Sequence, residues 1–391
     1  MNYREKIKKA HRIIFKFGTN VLTREDGSFA LSRIYSFLES IADLKKQGKE
    51  IIIVTSGAVG FGAKRLNMSK PTLVTLRKAC AAIGQGQLMS IYEEGFDKLS
   101  IITSQVLLTD EDFSIRKRYL SLRNTLNTLL ELGVIPIINE NDTVSTHDIT
   151  YFKPDGTTVS FTDNDKLSAL VMSKLCANLL IMLSDVDGLY NDDPRVNENA
   201  KLIPVVEEFT PEIEALGFEA SEKGRGGMKT KIEAAKIAVH SGGIAIIANG
   251  KKPDIIKRIF NGEEVGTAFL PIEHLSSKKR WIAYATNVSG AVKVNPGAQK
   301  ALTDNFASLL PSGIIEVINK FNKGEVVSII DDENKEFARG IANYSNTECK
   351  KLIGKKTDEI KDVLGYKESD EVINRDNIVI INQCHKGKCD E

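Results

Sequence analysis

Several short runs in this chain are apolar at every position, and they restrict its fold more than any other feature. IIIVT at residues 51–55, VIPII at 134–138 and LLIML at 179–183 show no alternation of apolar and polar side chains. A strand with one wet face alternates. A strand covered by helices on both faces does not, so these runs predict buried strands of a parallel sheet. Amphipathic helical stretches lie between them. The expected order is strand His11–Phe17, helix Leu31–Gln47, strand Glu50–Thr55, helix Thr72–Leu99, strand Ser100–Leu107 and helix Arg118–Leu132. Strand Val134–Ile138, helix Asp163–Cys176, strand Asn178–Leu183, helix Ile232–His240 and strand Gly243–Ala248 follow. This alternation predicts an α/β fold: a doubly wound, mostly parallel sheet sandwiched by helices.

The pattern breaks at a proline and a short basic stretch, Leu270–Arg280. Beyond it, short segments at Gly290–Val294, Gly313–Val317, Val326–Ile330 and Ile378–Ile381 are separated by Gly, Asn and Asp turns, as in a small β-rich domain. The expected organisation is a first domain over residues 1–270, a linker over 271–280, the β-rich domain over 281–382 and a disordered tail over 383–391. A length of 391 residues suits two or three domains.

Charge excludes some roles. The formal net charge is +1, and from Ser276 onward 18 Lys and Arg face 17 Asp and Glu. Neither figure gives a field that would hold the chain on nucleic acid or an anionic membrane. No apolar run reaches the roughly 18 residues of a spanning helix, and the basic N-terminus runs straight into a strand without a cleavage site. Five scattered cysteines, Cys80, Cys176, Cys349, Cys384 and Cys389, suit reduced thiols in a cytoplasm. Cys384, His385 and Cys389 are too few to predict a metal site.

Ligands of open α/β sheets bind beyond the carboxyl ends of the strands, and the chemistry-bearing residues cluster there. The first strand ends in Lys16-Phe17-Gly18-Thr19-Asn20, a lysine in an apolar run beside a close-approach glycine. It is a phosphate ligand or a side chain snorkelling from a strand end. Thr55-Ser56-Gly57 opens a helix with hydroxyl and N–H groups suited to an anion, or to ordinary capping. Asn139-Glu140-Asn141-Asp142 follows VIPII as a polar cluster or an Asx-type turn. Asp163-Asn164-Asp165 opens another helix, where capping accounts for at least one of the three. Ser184-Asp185-Val186-Asp187 follows LLIML, its acids suited to a nucleotide, a metal or a loop.

Lys223-Gly224-Arg225-Gly226-Gly227-Met228-Lys229-Thr230-Lys231 carries the strongest anion signal. Its glycines admit close backbone approach, its lysines bring charge, and the next helix adds unpaired N–H groups and a positive dipole end. GxxxxGK[ST] is absent, so this is no P-loop. None of the five histidines falls in these motifs, and no Ser–His or Cys–His arrangement activates a nucleophile. A nucleophile that is already ionised fits. The carboxylate of a free amino acid, with a pKa of about 4.3 for a glutamate side chain, needs no general base at neutral pH.

Six segments in order, FKFGTNVLT, VTSGAVGFG, NENDTV, TDNDKLSAL, LSDVDGLY and GRGGMKTKIEAA, resemble the glutamate 5-kinases of the amino-acid kinase superfamily. The resemblance covers nearly the whole chain, with residues from about 276 to 381 similar to that family's C-terminal PUA domain. It implies an ATP- and Mg²⁺-dependent kinase acting on the side-chain carboxylate of L-glutamate. It also implies that Lys16 and Lys231 stabilise the transferring phosphoryl group and that Asp165 orients them. Ser56 with its neighbour Gly57, Asp142 and Asn164 match the glutamate site. Lys16, Gly18, Ser184, Asp185, Arg225, Gly226, Gly227, Met228, Lys229, Thr230 and Lys231 match the ATP site. Feedback inhibition by proline, a homo-oligomer (dimer or tetramer), a cytoplasmic location and handover of product to a glutamyl phosphate reductase are further implications.

Three features depart from the family pattern: Thr162 in place of glycine, Arg225 in place of threonine, and a longer segment over residues 143–162, expected to form a hairpin around Pro154-Asp155-Gly156. The competing acceptors are N-acetylglutamate, aspartate, carbamate or a nucleotide monophosphate. Binding of RNA through the C-terminal domain is the rival of another class, and balanced charge weighs against it.

Overall fold

The computed structural model describes residues 2–68, 71–144, 163–217, 227–271, 279, 282–283 and 288–381. The expected hairpin with Thr162, the glycine-rich turn through Arg225 and Gly226, most of the linker and the Cys384–Cys389 tail lie outside the described residues. The chain divides into two compact units, Met1–His274 and Leu275–Glu391.

The first unit is built on eight strands: β1 (Arg12–Phe17), β2 (Glu50–Val54), β3 (Thr103–Leu108), β4 (Ile135–Glu140), β5 (Leu179–Ser184), β6 (Val205–Val206), β7 (Ile244–Asn249) and β8 (Thr267–Phe269). They pair in the order β3-β4-β2-β1-β5-β7-β8-β6. The first six in that order are parallel; β8 runs antiparallel to β7 and closes one edge with β6. The all-apolar runs are the interior strands β2, β4 and β5, and every residue of β5 and residues 13–17 of central β1 are buried. Helices cover both faces: α1 (Tyr3–Lys9), α2 (Thr19–Leu22), α3 (Leu31–Lys46), α4 (Ala58–Arg65), α5 (Val74–Asp97), α6 (Asp110–Ser114), α7 (Arg116–Glu131), α8 (Asn164–Leu175), α9 (Pro211–Ala215), α10 (Met228–His240) and α11 (Ile255–Asn261).

Each long element expected from the sequence is present within three residues of its predicted bounds, except that the helix expected from Ile232 begins four residues earlier, at Met228. The strand expected from Ser100 begins at Thr103, because Ser100 has φ +59° and ends the turn after α5. Short β6 and β8 gave no sequence signal, since two or three residues cannot display a period.

The second unit holds a five-stranded sheet of β9 (Ala291–Val294), β10 (Ile314–Ile318), β11 (Val326–Ile330), β12 (Glu336–Ile341) and β13 (Ile378–Ile380), ordered β10-β9-β11-β12-β13. Only β9 and β11 pair in parallel. β12 is an addition to the sequence reading: EFARGI carries two charges that mask its strand character. So are α12 (Pro296–Asp304) and α13 (Asn346–Leu352), each opened by a capping side chain, Asn295 and Ser345. Val292, Ile329, Tyr344, Leu352 and Ile373 lie in its own core.

Candidate active site

Central β1 lies between β2 and β5, with Lys16 opposite Val54 and Met182 in register. The residues that follow these strands therefore emerge side by side. Lys16 itself is buried, at 5% exposure, and its ammonium lies 2.5 Å from Asp165 Oδ1. Lys231, from the first turn of α10, lies 3.0 Å from Asp165 Oδ2 and is 6% exposed. Two cations from distant stretches thus share one fully buried carboxylate.

Local structure explains the arrangement. Asp163 is the N-cap of α8, its Oδ1 accepting the Asp165 N–H at 2.9 Å. That leaves Asp165 in the first helical turn, free of capping duty and facing the sheet. Gly227 caps α10, and Thr230 donates to its carbonyl at 2.9 Å and to Asp165 Oδ2 at 3.3 Å. Burial alone would raise the Asp165 pKa, but the adjacent Lys16 and Lys231 hold it below the ordinary carboxylate range. Burial likewise opposes the Lys231 charge, and Asp165, Asp163 and Asp185 outweigh it, so its pKa is raised. Asp165 and Lys231 are therefore both charged at neutral pH.

Other expected site residues line the same strand ends. Gly18 N–H donates to Leu183 O at 3.0 Å, bringing the β1 turn against the end of β5. Ser184 Oγ donates to Asp185 Oδ1 at 3.3 Å, and Asn20 donates to Asp185 Oδ2 at 2.8 Å. Burial would raise the Asp185 pKa; the Asn20 hydrogen bond leads the contacts that lower it instead. Ser56 donates to Phe17 O at 2.8 Å, and Gly57, with φ +104°, makes the left-handed turn into α4 that a side chain would strain. Met228 and Lys229 fill the first turn of α10, Lys229 exposed. Asp142 is half-buried in the turn after β4.

The NEND segment divides between the two readings of it. Asn141 joins a turn, accepting from the Thr143 hydroxyl at 3.0 Å. Asn139 remains in β4, 2% exposed, and accepts from Asn164 Nδ2 at 3.2 Å. Gln85 of α5, unmarked in the sequence, accepts from Asn139 Nδ2 at 2.8 Å. It lies mid-helix, far from every strand end in the chain, so no local pattern could have found it.

Buried polar atoms at this rim await partners. Asp163 Oδ2, Asn164 Oδ1 and Gln85 Nε2 have none among the described residues. Native interiors rarely leave such atoms unpaired, so their grouping beside two lysines indicates a polar ligand site. Among the described residues no group of three His, Cys, Asp or Glu could hold a metal ion. The carboxylates of Asp163 and Asp185 near Lys231 do fit Mg²⁺ carried on phosphates, which takes one or two protein carboxylates.

The model of the amino acid kinase family matches residues 11–249, and that of the PUA domain matches residues 290–364. The chain is 47% identical over 378 residues to the glutamate 5-kinase of Caldanaerobacter subterraneus subsp. tengcongensis, covering 96% of this chain and 99% of the relative. The glutamate 5-kinase of Methanococcoides burtonii is 43% identical over 380 residues, covering 96% of this chain and 98% of the relative. Among solved structures, an isopentenyl phosphate kinase matches with a TM-score of 0.47 at 20% identity, over 66% of this chain and all (100%) of that one. The UMP kinase of Ureaplasma parvum matches with a TM-score of 0.45 at 17% identity, over 67% of this chain and 99% of that one.

Proposed function

This chain belongs to the amino acid kinase family and, by likeness over nearly its whole length, to the glutamate 5-kinases; from that premise we propose how its residues perform the reaction. The protein transfers the γ-phosphoryl group of ATP to the side-chain carboxylate of L-glutamate, giving L-glutamyl 5-phosphate and ADP, the first step of proline biosynthesis. A carboxylate oxygen forms the new P–O bond, and the electrons of the breaking bond leave with ADP. No proton has to be removed, which agrees with a rim that holds no histidine in its motifs.

The Lys16–Asp165–Lys231 cluster carries this reading. Phosphoryl transfer asks for positioning and for positive charge around the moving group, fixed before the reaction begins. Lys16 and Lys231 supply the charge, and Asp165 keeps both ammonium groups aimed at one place. Gly18, Ser184, Asp185 and residues 225–231 bind ATP beside them. Ser56, Gly57, Asp142 and Asn164 hold glutamate. Asp163 and Asp185 would hold Mg²⁺ carried on the phosphates, which would supply further positive charge there. Burial of the lysines suits a labile acyl phosphate, which must be kept from water.

Proline as feedback inhibitor, a homo-oligomer (dimer or tetramer) and handover to a glutamyl phosphate reductase belong to the same proposal. So does a cytoplasmic location; no helix among the described residues is long and apolar enough to cross a membrane. The test is ADP release with ATP and Mg²⁺ across glutamate, N-acetylglutamate, aspartate, carbamate and a nucleotide monophosphate. Glutamate should give the highest kcat/KM by at least tenfold, and a higher value for any other acceptor rejects the assignment.

A further inference from the structure

The amides behind the acceptor pocket form a chain with a fixed direction. The Glu140 backbone N–H donates to Asn139 Oδ1 at 2.9 Å, and a backbone N–H can only donate. Asn139 Nδ2 must therefore point the other way, where Gln85 Oε1 accepts it. Asn164 Nδ2 donates to the same Asn139 oxygen. Reversing Asn139 or Gln85 would set donor against donor, and reversing Asn164 would set its oxygen against the Asn139 oxygen. Two atoms remain at the ends, both buried and without partners among the described residues: Gln85 Nε2, a donor, and Asn164 Oδ1, an acceptor.

Backbone packing holds Gln85 in this position. Its neighbour Gly84 presses on the start of α4 so closely that a Cβ there would stand 1.8 Å from Ala58 O. Helix α5 is thereby locked against the helix that follows the Ser56-Gly57 turn. The side chain one residue on reaches the end of β4.

We propose that Gln85 is a positioning residue for the acceptor site: by holding Asn139 it makes Asn164 present a carbonyl oxygen, which selects an acceptor with a free α-ammonium group over an N-acylated one. The inference rests on the glutamate reading above. An ammonium group gives that oxygen a charge-assisted hydrogen bond. An N-acyl amide gives one neutral N–H and places added bulk at the same point. Without Gln85, Asn139 Nδ2 loses its acceptor, and only the Glu140 N–H still holds the oxygen to which Asn164 donates, so the aim of Asn164 loosens.

The test compares the full-length wild type with Gln85→Met, which keeps length but loses both polar atoms, and Gln85→Glu, which keeps an oxygen for Asn139. Gln85→Met should raise the glutamate KM about tenfold, the effect of one orienting hydrogen bond, with the ATP KM and Tm near wild type. Its preference for glutamate over N-acetylglutamate should shrink, and Gln85→Glu should recover most of the KM. An unchanged glutamate KM in Gln85→Met, an equal rise in the ATP KM, or a glutamate variant no better than the methionine one overturns the inference. If Gln85→Met does not fold, Gln85→Ala carries the same comparison. A wild type that prefers aspartate rejects the glutamate reading and leaves Gln85 to be judged on the aspartate KM. A wild type that prefers N-acetylglutamate rejects both.

Discussion

At the rim of the parallel sheet Asp163, Asn164 and Gln85 each bury a polar atom that has no partner among the described residues, whereas in the C-terminal unit the buried Tyr344 hydroxyl has three. It donates to Ser369 O at 2.5 Å and accepts the backbone N–H groups of Glu368 and Ser369 at 3.2 and 2.9 Å. The rim gathers open polar atoms and charge in one place, whereas this tyrosine hydroxyl has its bonding capacity filled. Stability favours the second arrangement everywhere, so the first persists where a ligand completes it.

The largest effect that could break this contrast belongs to Asp165. Asp165→Asn leaves two buried lysines without their carboxylate and should cost about 3–5 kcal/mol of stability, with turnover down by about 10³ or more. Thermal unfolding and ADP release measure both. Lys16→Ala and Lys231→Ala come next. Each leaves Asp165 one cation, so the fold should survive while kcat falls by about 10²–10³. Near-normal turnover in both would remove the rim from the chemistry.

Acidity sharpens the same point. Because the Asp165 pKa is lowered, its stabilising contribution is present above the unfolded value near 3.8 and fades only as pH falls through the still lower folded value. The raised Lys231 pKa places the opposite loss above 10.5. A pH titration of Tm should therefore show no loss from this cluster between about 5 and 10; a Tm drop near 7 that Asp165→Asn abolishes would contradict its ionisation.

In the C-terminal unit the expected effects are smaller and purely structural. Tyr344→Phe should cost about 1–3 kcal/mol, seen as faster hydrogen exchange at residues 368–369, with kcat unchanged. Burial, aided by the Glu348 charge, pushes the Cys349 thiol up to about 12. Iodoacetamide at pH 8 should therefore label exposed Cys176 and spare Cys349 in the native protein. Labelling of both at one rate would show this core to be open.

Much of this molecule is legible in its sequence because the physics is local. An all-apolar run can only be covered on both faces, so IIIVT and LLIML determine a sandwiched sheet by themselves. Strand ends in such a sheet must gather at one rim, which picks out Lys16, Ser56, Ser184 and the turn before α10. The sequence also marks Asp163, Asn164 and Asp165 as a helix start. It does not say which of the three caps and which turns inward, since all three favour that position. Tertiary structure decided that: Asp163 took the cap, and Asp165 met two lysines from other parts of the chain. It also brought in Gln85, whose role depends on a helix crossing at Gly84 and on one backbone N–H that fixes the sense of three amides. Periodicity encodes which face a residue shows to the core; only packing between distant segments determines which atom it meets there.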